Sequence, residues 1–248
     1  MTASLPLTFS GQAALVTGGA AGIGRSCVTL LASAGLRVIA LDRDESVTAI
    51  PGVEGVVADI VDESSVAALL EQLTPHGLAY VVNCAGIHAP ATFDDVDLND
   101  FRRVLDINTL GALAVTRAAT PWLRSTGFGS VVNITSLEAH RTIALMNPVA
   151  VPHYAASKAA LESLTRSMAH ALAPDSITVN AVAPGFVATS MTAGDHGGSL
   201  APQALAHMLI KRYATPEEIA STVAFLLSDG AAFITATTVL IDGGFHSV

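Results

Sequence analysis

Ala13-Ala-Leu-Val-Thr-Gly-Gly-Ala-Ala-Gly-Ile-Gly24 decides the fold. Five residues suited to a buried strand run into a glycine-rich turn, and helix-forming sequence follows from Arg25. Glycines at 18, 22 and 24 permit a tight turn, close packing of helix on sheet, and close backbone approach to a pyrophosphate. The helix start offers that anion free N–H groups and the positive end of a dipole. A glycine-rich turn alone is weak evidence, because glycine often only permits a turn. Its place at the first strand-to-helix junction makes it much stronger.

Outward from this unit, short β-branched runs alternate with longer helical stretches. Residues 13–17, 37–41, 55–58, 79–83, 130–135, 177–182 and 237–241 read as buried parallel strands. Helices are expected near 23–34, 63–73, 98–125, 154–172 and 216–228. Asp62 before Glu63 is a capping signal, and Thr215-Pro-Glu-Glu218 places proline in a first turn with acids behind it. The expectation is an α/β chain: one Rossmann-like, doubly wound domain over 1–248, with about seven parallel strands, helices on both faces and right-handed crossovers. Residues 137–153 and 186–212 break the rhythm, the second with a flexible, glycine-rich run at 192–199. Both leave the carboxyl ends of strands, where ligands bind in such sheets, so they are candidate substrate walls or lids.

The chain has 248 residues and a net charge of −9, with only 12 Lys and Arg and no dense basic run, which argues against nucleic acid. No apolar run nears the roughly 20 residues of a membrane span, and residues 1–10 do not read as a signal peptide. Cys27 and Cys84 stand alone in apolar sequence, so a metal site and a disulfide are not expected and each reads as a small buried apolar side chain. A cytoplasmic globular protein is the expectation.

Two constellations carry chemistry. Asp42 closes the second strand, where a carboxylate accepts hydrogen bonds from adenosine ribose hydroxyls and repels a 2′-phosphate. Ala21 offers that phosphate no charge. Arg43 is the contrary sign, read as a cover for the adenine or a partner of a nearby acid. The balance favours NAD over NADP. Tyr154-Ala-Ala-Ser-Lys158 sets a phenol and an ammonium on one helix face. A tyrosine with pKa about 10 is a poor base near neutrality; Lys⁺ and an oxidised nicotinamide both favour its phenolate. Alone, this spacing usually means an interfacial tyrosine and a surface lysine.

With its company, the sequence resembles the short-chain dehydrogenase/reductase family over nearly the whole chain. Thr17–Gly24 matches the TGxxxGxG turn, Asn83-Cys-Ala-Gly86 is similar to NNAG, Pro184-Gly185 to PG, and Ile241-Asp-Gly-Gly244 to the terminal strand signature with Asp242 as its acid. Asn108, Ser136, Tyr154 and Lys158 match the catalytic tetrad. The resemblance implies that Tyr154 is the acid/base, that Ser136 holds the substrate oxygen, and that Lys158 binds the nicotinamide ribose and lowers the tyrosine pKa. Asn108 would support a water linking Lys158 to solvent. Gly18, Ala21, Gly22, Ile23 and Gly24 would meet the pyrophosphate; Asp42 and Arg43 the adenosine end; Asp59 and Ile60 the adenine. Asn83, Ala85 and Gly86 would meet the ribose, and Pro184, Gly185, Val187 and Thr189 the nicotinamide. For Asn108, Thr135 and Ser136 an ordinary backbone hydrogen bond is a serious alternative.

The chain departs from the pattern twice. Ser136 and Tyr154 lie 18 positions apart, where about 12–13 is usual, so residues around 138–147 look inserted. There Glu138, His140 and Arg141 either contact a polar substrate or are solvated. Ala236 replaces a usual glycine, for which a packing adjustment is expected. The reaction implied is hydride transfer between NAD and a small secondary alcohol, polyol or cyclic diol, or the matching ketone. A 3-oxoacyl thioester reductase served by an acidic carrier protein is the alternative; Arg102 and Arg103 would be its small basic patch. A non-catalytic NAD-binding sensor is a third reading. Small residues on the two long helices (Ala155, Ala156, Ala159, Ala160, Ser163) suggest close helix approach, and the resemblance implies a homotetramer.

Overall fold

The computed structural model describes residues 7–73, 77–143, 151–189 and 202–248. Seven parallel strands, β1 (Ala13–Thr17), β2 (Arg37–Asp42), β3 (Glu54–Val57), β4 (Tyr80–Asn83), β5 (Gly129–Ile134), β6 (Ile177–Pro184) and β7 (Thr238–Ile241), form one sheet in the order β3-β2-β1-β4-β5-β6-β7. Successive residues point to opposite faces. Ala14 and Val16, Val38 and Ala40, and Val82 and Val132 therefore join α1 (Gly22–Ser33) and α7 (Pro216–Leu227) on one side. Leu15, Ile39, Leu41, Val81 and Val131 face α2 (Glu63–Leu73), α4 (Ala112–Thr126) and α5 (Pro152–Leu172) on the other. Burial on both faces explains strands read as near-continuous apolar runs.

The helix expected over 98–125 is a continuous run with an altered middle. α3 (Leu98–Leu105) passes into a π-helical turn at Asp106–Gly111, and α4 continues from Ala112. α6 (Pro202–Ala206), a single short turn of helix, lies in the segment expected to be loop. The capping signals hold: Asp62 Oδ1 accepts from Ser65 N–H at 3.0 Å, and Thr215 and Glu218 form a reciprocal capping box. Residues 144–150 and 190–201, parts of both expected substrate walls including the glycine-rich run at 192–199, lie outside the described residues. No helix among the described residues is long and apolar enough to cross a membrane.

Candidate active site

The carboxyl ends of β1, β2, β4, β5 and β6 open on one groove of about 350 Å³. The glycine-rich turn forms its floor. Gly18 and Gly22 adopt φ of 70° and 52°, in the left-handed region where glycine is favoured. A Cβ on Gly18 would come within 2.8 Å of Ala85 N. Thr17 braces the same junction, its Oγ1 accepting from Cys84 and Ala85 N–H at 3.2 Å each. No side chain caps the start of α1 and no acid lies in its first turn, so its free N–H groups are open to an anion. Gly18, Ala21, Gly22, Ile23 and Gly24 all line the groove.

At one end, Asp42 Oδ2 accepts from Ala20 N–H at 2.9 Å and Oδ1 from Asp44 N–H at 3.0 Å. A carboxylate offers about four lone-pair sites, so acceptor capacity remains for hydroxyls. Arg43, Asp59 and Ile60 border the same end. Arg43 and Asp59 also line an adjoining hollow of about 300 Å³ with Arg102, Arg103 and Asp106. The basic patch is therefore interleaved with carboxylates.

Asn83 is not in the groove. It lies two residues from Val81 on β4, so the pleat turns it towards α4, where Nδ2 donates to Thr116 Oγ1 (2.9 Å) and Asn133 Oδ1 (2.8 Å). Asn133 in turn donates to Thr165 on α5 at 2.9 Å. The Asn83 side chain, expected at the ribose, is thus committed to a buried chain joining α4, β4, β5 and α5. Cys84, Ala85, Gly86 and Ile87 line the groove instead. Burial pushes the Cys84 thiol up to about 12, which leaves it inert.

Ser136, Tyr154 and Lys158 meet at the other end; Thr135, Pro184, Gly185 and Val187 line the groove with them, and Thr189 lies over Gly22, where a Cβ would fall 3.3 Å from its Cγ2. Lys158 Nζ donates to Ile134 O at 2.9 Å and sits 5.7 Å from the centre of the Tyr154 ring. Burial brings the ammonium down to about 8. The expected lowering of the tyrosine is not present in the chain by itself. Burial drives the phenol upwards, the negative charge of Glu138 adds to this, and the hydrogen bond with Ser136 opposes both. The loss of phenolate hydration outweighs the ammonium, which is directed at a carbonyl. Thr135 Oγ1 is spent on Val182 O at 3.1 Å.

Asn108 lies in the π turn, a distortion found often at functional sites. Its Oδ1 accepts from Ile87 N–H at 2.8 Å, and Nδ2 donates to Ile87 O and Ser157 Oγ at 3.0 Å each. Thr109 Oγ1 donates to Ser157 O at 2.9 Å. The side chain thus holds Ile87, and through it Ala85 and Gly86, against α5. A Cβ on Gly86 would fall 3.1 Å from Asn108 Oδ1 and 3.3 Å from Lys158 Nζ, so the glycine keeps this end open. Sequence reasoning missed Ile87, Ile107 and His88. The first two line the groove, and His88 meets the Tyr154 ring edge-on at 4.8 Å. Residue type alone carried no signal for any of them. The uncapped helix start, the long groove, the rim carboxylate and the open space at Gly86 fit a nicotinamide dinucleotide.

A family model described as "Enoyl-(Acyl carrier protein) reductase" matches residues 18–246. Cis-4-hydroxycyclohexanecarboxylate dehydrogenase of Sinomonas cyclohexanicum is 35% identical, the match covering 97% of this chain and 98% of the relative. A 3-oxoacyl-[acyl-carrier-protein] reductase of Synechocystis sp. is 34% identical over 95% and 97% of the two chains. Among solved structures, a short-chain dehydrogenase/reductase family protein superposes with TM-score 0.86 at 36% identity, covering 98% of this chain and 100% of that one. A Beutenbergia cavernae structure that holds NADP at low occupancy superposes with TM-score 0.89 at 32% identity, covering 98% and 100%.

Proposed function

The chain belongs to the short-chain dehydrogenase/reductase family, NAD(P)-dependent enzymes of CH–OH groups, and on that premise we propose that it uses NAD to interconvert a small secondary alcohol, polyol or cyclic diol with the matching ketone. The observation that carries the reading is the convergence of Ser136, Tyr154 and Lys158 at one end of a groove whose other end is Asp42. The bound nicotinamide supplies the hydride donor or acceptor.

The residues of the chain handle the proton. Tyr154 is held protonated by burial, ready to give its proton to a ketone oxygen as that oxygen gains charge. In the oxidative direction it must take the alcohol proton, and the positive charges of Lys158 and of an oxidised nicotinamide favour the phenolate then. Ser136 holds the substrate oxygen beside the phenol. Lys158, with a pKa near 8, remains charged at neutrality and would hold the ribose hydroxyls of a bound nicotinamide half. Asp42 at the groove rim supports NAD, because a carboxylate there would accept from ribose hydroxyls and repel a 2′-phosphate.

Three relatives named 3-oxoacyl-acyl-carrier reductases support a second reading, in which the ketone arrives on an acidic carrier. The interleaving of Arg43, Arg102 and Arg103 with Asp59 and Asp106 weakens it, since such a partner needs a basic surface. The test is NAD(P)H absorbance with a panel of secondary alcohols and diols, run beside a free acetoacetyl thioester with NADPH. Alcohol oxidation with NAD, and a kcat reduced about 10²–10⁴-fold in Tyr154→Phe, is the expected result. Equal rates in wild type and variant refute the role of Tyr154. An NADPH preference of about tenfold, some 1.4 kcal/mol, refutes the cofactor assignment.

A further inference from the structure

Tyr154 is the third residue of α5, in a first turn that no described side chain caps. The amides of such a turn have no partners within the helix. Asn108 supports this weak end by two routes. Its Nδ2 donates to Ser157 Oγ at 3.0 Å, and Ser157 Oγ donates to Tyr154 O at 2.7 Å, which ties down the main chain. Asn108 also holds both backbone groups of Ile87. The next residue is His88, whose half-buried ring meets the Tyr154 ring edge-on, with centres 4.8 Å apart and planes at 75°. Edge-to-face contact is a favoured geometry for two aromatic rings. The other grips on the phenol are weaker during reaction. Lys158 Nζ lies 5.7 Å from the ring centre but is spent on Ile134 O. The Tyr154 hydroxyl is bonded to Ser136, and both must turn to the substrate oxygen when the proton moves.

From this arrangement we infer that His88 is a positioning residue for the reaction: its ring, carried on the segment that Asn108 holds, sets the plane of the Tyr154 phenol and so the aim of its proton. The inference rests on the reading of Tyr154 as the acid/base. A phenol O–H lies in the plane of its ring, and rotation of that ring about χ2 is otherwise broad. The contact acts through shape. A flat side chain of similar breadth can therefore replace His88, and a small one cannot.

The test follows NADH formed from cyclohexanol, or from whichever alcohol of the panel wild type oxidises faster. Wild type is compared with His88→Phe, His88→Ala, Tyr154→Phe and the double variant Tyr154→Phe/His88→Ala. His88→Ala should lower kcat about 10–100-fold, as a misplacement of about 1 Å can, with KM within about twofold. His88→Phe should restore kcat to within about threefold of wild type. In the Tyr154→Phe background, loss of His88 should cost less than about twofold, since no phenol is left to aim. NADH binding, followed by protein fluorescence, should be the same throughout and shows that each variant folds. An unaltered His88→Ala overturns the inference, and so does a loss confined to KM, which would make His88 a substrate contact. A loss in His88→Phe equal to that in His88→Ala overturns it too, since the imidazole nitrogens would then carry the effect. So does an undiminished loss in the Tyr154→Phe background. A wild type that binds NADH but oxidises no alcohol with either cofactor overturns the functional reading beneath it.

Discussion

Lys158 carries an ammonium where burial disfavours one. Its pKa is near 8 in the fold and about 10.4 in an unfolded chain. Below pH 8 both states are protonated and the folded state bears the full cost of the buried charge. Between about pH 8 and 10 the fold sheds the proton while the unfolded chain keeps it, and the cost fades. Lys158→Met should therefore abolish turnover yet raise stability at pH 7 by about 1 kcal/mol, after the lost bond to Ile134 O is counted. Thermal unfolding at pH 7 and 9 checks it: the gain should be smaller at pH 9. Ala236, expected to need only a packing adjustment, holds φ of 59° while its N–H donates to Val179 O at 2.9 Å. That conformation costs a residue with a Cβ about 1–2 kcal/mol, and glycine returns about 0.5–1 in chain entropy. Ala236→Gly should raise the melting temperature by about 2 °C; a fall would refute the strain. That Ser136, Tyr154 and Lys158 converge on one groove was readable from residue type and order. The pKa of Tyr154 was not, because burial is a property of the fold, and Asn83 was misplaced because a motif match ignored which face of β4 it occupies.

At the scale of elements, the strands stand within a residue or two of where their apolar runs placed them, since burial on both faces writes itself plainly into sequence. The π turn at Asp106–Gly111 left no such trace. Nothing in Asp-Ile-Asn-Thr-Leu-Gly separates it from ordinary helix; docking creates it, through Asn108 on Ile87 and Thr109 on Ser157. Asn108→Ala would leave those buried groups without partners, at a cost of about 2 kcal/mol. Because Ile87 holds Ala85 and Gly86, NADH binding should weaken with it. Calorimetry and a cofactor titration check the two effects together, and an unaltered affinity would refute the positioning role. The short helix α6 escaped notice because one turn of helix has no periodicity to read.

For the whole molecule, alternation of strand and helix made a doubly wound parallel sheet legible, but not its order, which depends on which edge each crossover takes. Leu98 and Leu110 are exposed on the α3–α4 run, and Ala156, Ala159 and Ser163 on α5. Unpartnered apolar and small residues on two neighbouring helices fit burial against other subunits. A homotetramer is the expected outcome, with a light-scattering mass near four times the 25.3 kDa chain; a monomeric mass would reject it. The π turn also bears on the molecule as a whole. An α-helix advances about 100° per residue, and a π turn holds one residue more than its α equivalent. With Val115, Ala119 and Leu123 of α4 packed on the sheet, deleting any one residue of 106–111 would close the turn and swing α3 by about 100°. Val104 would leave the interior, and Phe101 would leave the His153 ring, whose centre now lies 6.1 Å away. The chain thus carries a built-in phase offset: a one-residue deletion harmless in a surface loop would here put half of a helix out of step with the other half.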